Sequence, residues 1–98
     1  MKLPRRLRGA VVVITGASSG IGRATARAFA KAGSHVVLAA RGRKALEETA
    51  QECRELGAQA MAIPTDTTDA TAVEALARQA VERYGSLDIW VNNASVSL

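Results

Sequence analysis

The sequence predicts an α/β fold in which helices cover both faces of a parallel β-sheet, giving three layers, α/β/α. Short, unbroken runs of apolar residues recur along the chain, and such runs are typical of strands buried on both faces. Longer segments between them carry apolar residues at helical spacing, with charged residues on the opposite side. Because the connections are short, the order β-α-β-α-β-α-β predicts right-handed crossovers between parallel strands.

The element boundaries follow from the apolar runs and from the residues that interrupt them. Gly33, Gly57 and Gly85 each follow a predicted helix, where glycine commonly ends one. Thr68 or Asp69 is the expected N-cap of the third helix. Strands are predicted over residues 10–14, 35–39, 59–63 and 87–91, and helices over residues 21–32, 44–56 and 70–84.

Length and charge limit the classes of function. Ninety-eight residues suffice for one domain, and the net charge is +4. Lys2, Arg5, Arg6 and Arg8 supply much of that charge, so residues 1–9 are expected to form a basic, solvated and mobile N-terminal tail. The rest of the chain is balanced in charge, which argues against a nucleic-acid partner. No apolar run is long enough to cross a membrane, so no membrane partner is expected.

Two residues with reactive side chains are expected to be structural. Cys53 is the single cysteine, which excludes a disulfide framework and favours a cytoplasmic setting. It lies on an apolar helix face, where a packed, inert thiol is expected. His35 heads the second strand without a second His, a Cys or an acidic residue at ligand spacing, so no metal site is predicted.

The segment with most chemical content is residues 15–22, which read Thr-Gly-x-x-x-Gly-x-Gly between the first strand and the first helix. Glycines let the backbone turn sharply and let a phosphate approach without a Cβ in the way. The helix that follows presents unpaired N–H groups and the positive end of its dipole. This order is typical of a phosphate-binding turn. The alternative is an ordinary strand–helix turn without a ligand.

This octet closely resembles the cofactor turn of the short-chain dehydrogenase/reductase family. The resemblance extends over roughly residues 8–97 and implies a Rossmann-type domain at residues 10–98, the first half of a doubly wound fold. It also implies that the turn binds the diphosphate of a nicotinamide dinucleotide. The residues implied at this turn are Gly16, Ser18, Ser19, Gly20, Ile21 and Gly22.

Arg41 follows the second strand, where a dinucleotide fold meets the adenosine ribose. An acidic residue there binds a free 2′-hydroxyl, whereas an arginine accommodates a 2′-phosphate. The segment Ala39–Arg43 contains two arginines and no acid. The sequence therefore predicts a preference for NADP(H) over NAD(H), with Arg41 as the main discriminator and Ser18 or Ser19 assisting. Alternatively, Arg41 only caps a solvated loop.

Two further motifs match the family. Asp66 lies just past the third strand, where the resemblance implies a contact with the adenine amine, although turn chemistry would suit Asp equally well. Asn92, Asn93 and Ala94 follow the fourth strand and match an Asn-Asn-Ala-Gly pattern that lines the cofactor. Ser95 replaces the glycine of that pattern, so the geometry near the nicotinamide departs from the family there.

In the resembling family the acid–base residues lie later in the chain: a Ser, then a Tyr-x-x-x-Lys pair and a further Asn. No such set occurs in these 98 residues, so no catalytic residue is assigned and the domain is expected to be incomplete without its C-terminal catalytic half. The expected function is to bind NADP(H) for hydride transfer to or from a carbonyl/alcohol substrate. The alternatives are a nucleotide-binding or interaction module without catalysis, and a similar domain for another ligand, such as a methyl donor or a nucleotide sugar.

The fourth predicted strand has consequences for assembly. A fifth strand would normally cover it, and without that strand its apolar residues, with Trp90 among them, form an exposed edge. Exposed edges invite pairing with another chain, so the isolated chain is expected to self-associate there.

Overall fold

The computed structural model describes residues 3–93, which form a four-stranded parallel sheet with helices on both faces. The fold class predicted from the sequence is confirmed. The strands are ordered β3-β2-β1-β4 across the sheet. In chain order, the elements are β1 (Val11–Thr15), α1 (Gly20–Lys31), β2 (His35–Ala40), α2 (Arg43–Glu55), β3 (Ala60–Pro64), α3 (Ala70–Tyr84) and β4 (Ile89–Asn92).

Strand β1 lies in the interior of the sheet. Its central residue, Val13, pairs with Val37 of β2 on one side and with Trp90 of β4 on the other. All five residues of β1 are buried, which explains its unbroken apolar sequence. Any element attached to the end of β1 is therefore held by both halves of the sheet.

The two faces of the sheet have separate cores. On one face, Phe29 of α1 and Leu46 of α2 pack with Ile14 and Leu38 of the sheet. On the other face, α3 packs its buried Leu76 against the sheet. The alternating side chains of β1 thus serve both cores, as the three-layer prediction requires.

The boundaries of α3 agree with the sequence, and those of β4 do not. Asp69 caps α3 by accepting hydrogen bonds from two backbone N–H groups, and Gly85 ends the helix in the left-handed conformation at φ 87°. Strand β4 begins at Ile89, later than predicted, because the Asp88 carboxylate accepts from the Val11 N–H at 2.8 Å. The Asp88 N–H also donates to the Val11 carbonyl at 2.9 Å, so the side chain replaces only the backbone acceptor at the start of the β1–β4 ladder.

The N-terminal segment is folded where a mobile tail is predicted. Residues Arg5–Leu7 form a short 3₁₀ helix, and Leu3 and Leu7 pack against the α1/α2 core. The Ser34 hydroxyl donates to the Leu7 carbonyl at 2.7 Å, and the Gly9 N–H donates to the Gly33 carbonyl at 3.0 Å. The prediction considered only the positive charge of this segment. The segment is folded because Leu3 and Leu7, which lie among the arginines, pack against the core.

No helix within residues 3–93 has both the length and the apolar character required to span a bilayer.

Leu38 offers a direct test of the core. Its side chain is fully buried in the α1/α2 core, and truncating such a leucine to alanine typically costs about 2–5 kcal/mol. We expect Leu38→Ala to lower the free energy of unfolding in urea by that amount. Leu56→Ala removes the same atoms from a side chain that is 36% exposed, and should cost well under half as much. Equal losses would contradict the described core.

Candidate functional site

The predicted site residues within the described part of the chain meet at one edge of the sheet. Because all four strands are parallel, their carboxyl ends lie together, and Gly16, Arg41, Asp66 and Asn93 each follow a different strand there. The chain order changes direction between β1 and β4, which is where open α/β sheets bind ligands.

A groove runs along this edge in two connected parts. One part, with a volume of about 310 Å³, is lined by the glycine turn and Asn93. The other, of about 380 Å³, is lined by Arg41, Asp66 and the residues beside them. Gly16 and Ser18 line both parts, so the groove is continuous around the turn. Ser19, Gly20, Ile21 and Gly22 complete the lining of the first part.

Three glycines shape the turn, two through their backbone conformation and one through a close contact. Gly16 and Gly20 have positive φ values of 62° and 57°, which glycine adopts without steric strain. Gly22 lies in the first turn of α1, where the helix passes directly over the Gly16 carbonyl. A Cβ at position 22 would come within 1.8 Å of the Gly16 oxygen. The helix can approach the turn this closely only because residue 22 has no side chain.

The amino end of α1 opens into the groove. Ser19 is the N-cap residue, but its side chain makes no capping hydrogen bond. The first N–H groups of the helix therefore have no side-chain acceptor from their own cap, and the helix dipole adds positive potential. Ala17 is fully buried, and its N–H donates to the Ala39 carbonyl at 3.2 Å, which anchors the turn to β2. This arrangement suits an anion such as a phosphate.

Thr15 is a site residue that the sequence analysis did not single out. Its buried hydroxyl donates to the Asn92 side-chain oxygen at 2.8 Å and accepts from the Asn93 N–H at 3.1 Å. One hydroxyl thus joins the ends of β1 and β4. The available signal was a polar residue at the end of an otherwise apolar strand.

Asn93 carries a buried donor without a partner. Its side-chain nitrogen makes no hydrogen bond within residues 3–93, although the residue lines the groove. Leaving such a donor unpaired is unfavourable, so native structures usually provide it with a partner. The donor lies beside the groove but has almost no exposed surface, so a ligand in the groove would meet it only after a small shift of the side chain. Ala94 and Ser95, the next residues of the predicted motif, lie outside the described residues.

Arg41 and Asp66 form an ion pair across the second part of the groove. Nη2 of Arg41 lies 2.9 Å from Oδ2 of Asp66. Oδ1 of Asp66 accepts from the Thr68 N–H at 2.9 Å and from the Thr68 hydroxyl at 2.6 Å. Thus Asp66 adopts the turn geometry that its sequence context allowed, and it also faces the groove. Thr68 was considered from the sequence only as a helix cap.

These contacts keep Asp66 ionised. The Thr68 hydroxyl and N–H and then the Arg41 guanidinium lower the pKa of the Asp66 carboxyl to about 2. A lowered pKa means that the ionised form is favoured in the folded chain. The interactions are therefore fully present above the ordinary pKa near 4 and are lost as the pH falls through about 2. Asp66 remains a charged partner for Arg41 throughout the neutral range.

The charges of the chain are separated along the sequence. Ten of the thirteen Lys and Arg residues precede position 47, and all nine acidic residues occur from Glu47 onward. The groove begins in the basic part and has Asp66 as its single acidic lining residue within residues 3–93. Arg41 and Asp66 cancel in net charge, so the positive character of the groove comes from the amino end of α1.

Among residues 3–93, the reactive side chains outside the groove do not form a second candidate active site. Burial raises the pKa of the Cys53 thiol to about 11, which makes it a poor nucleophile at neutral pH. His35 stacks on Tyr84 with ring centroids 5.0 Å apart, and neither residue lines the groove. Within residues 3–93, no group of His, Cys, Asp and Glu side chains could hold a metal ion.

Comparison with known proteins adds a family assignment to this geometry. A family model described as short chain dehydrogenase matches residues 10–98. An uncharacterized oxidoreductase, YxnA of Bacillus subtilis, is 45% identical over 95% of the chain, which covers 26% of that relative. A fatty acyl-CoA reductase of Acinetobacter baylyi is 41% identical over 94% of the chain, which covers 31% of it. The chain thus spans about a quarter to a third of these relatives' length.

Solved structures agree in fold. L-Sorbose reductase from Gluconobacter frateurii, complexed with NADPH and L-sorbose, has a TM-score of 0.88 and 40% identity. The match covers 93% of the chain and 35% of that structure. A hydroxysteroid dehydrogenase from Escherichia coli also has a TM-score of 0.88, with 39% identity, 94% of the chain and 40% of that structure covered.

The close approach at Gly22 generates a stability prediction. Because a methyl group at this position would meet a backbone carbonyl, α1 and the turn must separate to accommodate it. Overpacking typically costs about 1–3 kcal/mol, and backbone obstacles lie at the upper end. We expect Gly22→Ala to lower the free energy of unfolding by roughly 2 kcal/mol or more, measured by urea denaturation.

Gly42→Ala is the matched control. Gly42 has a φ of −78°, and nothing lies within 4 Å of the Cβ that it would gain. Its stability should change by less than about 1 kcal/mol, because the reduced freedom of the unfolded chain is offset by the poorer fit of alanine at the N-cap of α2. Similar losses at positions 22 and 42 would show that the close contact is not the cause.

Proposed function

The chain belongs to the short-chain dehydrogenase family, and on that premise we propose that the groove binds NADP(H) for an oxidoreductase acting on a carbonyl/alcohol substrate. The observation that carries the proposal is the open amino end of α1. This end can lie directly against Gly16 because Gly22 has no Cβ. A side chain at position 22 would fill that space. The turn therefore has the form that a diphosphate needs.

The residues of the groove fit the successive parts of the cofactor. The N–H groups from Gly16 to Gly22, except that of Ala17, bind the diphosphate, with Ser18 and Ser19 at the mouth of the turn. Asp66 lies beside the adenosine end, and the unpartnered Asn93 nitrogen provides a donor on the β4 side. Ala94, which lies outside the described residues, is proposed to bind the cofactor together with Asn92 and Asn93.

Arg41 supports the choice of NADP(H) over NAD(H). It follows β2, it lines the groove, and its guanidinium can bind a phosphate through two parallel hydrogen bonds. A lone acid at the end of β2 would repel a phosphate, and none is present in that segment. The similarity to an NADPH-complexed reductase points in the same direction.

The bound cofactor would supply the hydride that the reaction transfers. The described residues bind and orient it, and none of them is assigned to proton transfer. The chain spans about a quarter to a third of its relatives' length, and the acid–base residues and the substrate pocket of the proposed enzyme would lie outside the residues given. The complete protein would act in the cytoplasm, in keeping with the single buried Cys53.

Cofactor titration of the Arg41→Asp variant tests this function. The wild type should bind NADPH more tightly than NADH, as measured by calorimetry. Arg41→Asp should weaken NADPH binding by about 10- to 100-fold, since charge-assisted hydrogen bonds contribute roughly 1.5–3 kcal/mol. NADH should be little affected or should bind more tightly.

Arg43→Asp is the control for general electrostatics. It makes the same change in charge two residues away, at a position that does not line the groove. A similar loss in both variants would indicate a long-range field and not a contact. Failure of the folded wild type to bind either cofactor at millimolar concentration would overturn the proposed function.

We also propose that the 98-residue chain self-associates through β4. Among the described residues this strand pairs only with β1, so one edge of its backbone lies open, and Trp90 is 36% exposed. Lysine on an edge strand discourages pairing. Trp90→Lys should therefore lower the mass measured by light scattering toward that of a monomer.

Leu56→Lys provides the comparison, because Leu56 is equally exposed but lies at the end of α2. It should leave the measured mass unchanged. A wild-type chain that stays monomeric over a wide concentration range would contradict self-association through β4.

A further inference from the structure

Three side chains form a chain of contacts in the second part of the groove. The Thr68 hydroxyl donates to Oδ1 of Asp66 at 2.6 Å, and Oδ2 of Asp66 lies 2.9 Å from Nη2 of Arg41. The two contacts use different oxygens of one carboxylate. Asp66 can therefore be held by its own loop and hold Arg41 at the same time.

The contacts from Thr68 fix the carboxylate. Both the N–H and the hydroxyl of Thr68 donate to the same oxygen, at 2.9 and 2.6 Å. Two donors on one atom restrict rotation about the terminal bond of the Asp66 side chain, which is otherwise soft. The remaining oxygen consequently faces the guanidinium in a defined direction.

The position of the Arg41 side chain depends on its contact with Asp66. Its side chain is 72% exposed, and Asp66 is its single ion-pair partner among residues 3–93. An exposed arginine has many rotamers, and ordering such a side chain opposes binding. The pair engages Nη2, so Nη1 and Nε are available to a phosphate.

We propose that Thr68 and Asp66 are positioning residues that set the Arg41 guanidinium in place before the cofactor binds. This inference rests on the proposed function, and it concerns how the preference for the 2′-phosphate arises. Because NADH lacks that phosphate, the effect on NADPH exceeds any effect on NADH that arises where Asp66 lies beside the adenosine. Thr68, which also lines this part of the groove, thereby contributes to cofactor choice through Arg41.

Thr68→Val isolates this effect. Valine keeps the shape and the backbone N–H contact, and it removes only the hydroxyl. The charge of Asp66 stays, so its repulsion of a phosphate is unchanged while its orientation is loosened. We expect the affinity for NADPH to fall by about three- to tenfold, the range given by re-ordering one long side chain, with a smaller loss of affinity for NADH. Thr68→Ser, which restores the hydroxyl, should recover most of the loss.

Two comparisons test whether Thr68 acts on NADPH binding through Arg41. Thr71→Val makes the same change three residues later, at an exposed position outside the groove lining, and should alter neither affinity. In an Arg41→Ala background, Thr68→Val should have no further effect on NADPH. Equal weakening of both cofactors by Thr68→Val, or an undiminished effect without Arg41, would overturn the proposal.

A measurement without cofactor separates this inference from the proposed function. The Arg41 Nε–H order parameter, measured by NMR relaxation, should fall in Thr68→Val and remain unchanged in Thr71→Val. If the wild type binds no dinucleotide but the Arg41 order parameter falls in Thr68→Val, the proposed function fails and the positioning contact stands. If Arg41 is equally mobile in the wild type and in Thr68→Val, the positioning role is wrong.

Discussion

The approach of α1 to the end of β1 is the constraint on which the site depends. Gly22 brings the helix over the Gly16 carbonyl, at a distance that leaves no space for a Cβ. Because β1 is paired on both sides, the turn that follows it is held by the whole sheet. The Ala17–Ala39 hydrogen bond adds an anchor to β2. The first N–H groups of α1 are consequently presented from a rigid base, so an anion would encounter them already oriented.

In the proposed function, the two parts of the groove would divide cofactor recognition between backbone and side chains. Around the glycine turn, the donors are mainly backbone N–H groups and the Asn93 nitrogen, which give a fixed geometry for any diphosphate. Beyond Gly16, recognition depends on Arg41 and Asp66, whose side chains are partly exposed. A rigid part can bind the portion that dinucleotides share, while the side-chain part distinguishes one dinucleotide from another.

Patterns along the chain were sufficient for the fold and for part of the site. The strand–glycine–helix order placed the glycine turn, and the glycine after the third helix placed the end of α3 without error, because these signals are local. Contacts between distant residues had no such signal. The Thr15–Asn93 bond joins positions far apart in the sequence, and the Arg41–Asp66 pair depends on the spacing between two strand ends. The folded N-terminal segment was missed because its positive charge suggested solvation, whereas the burial of Leu3 and Leu7 depends on the neighbouring helices.

The pairing of β1 with β4 also bears on the order of folding. β1, α1, β2, α2 and β3 are joined by contacts between neighbours in sequence, whereas β4 must reach β1 across a separation of more than seventy residues. Closing a long loop is slow relative to forming local contacts. We therefore expect the Thr15 hydroxyl to gain its Asn92 and Asn93 partners late, after the glycine turn has formed. A refolding chain would thus acquire the two walls of its groove at different times, with the Asn93 wall completed by the slowest step.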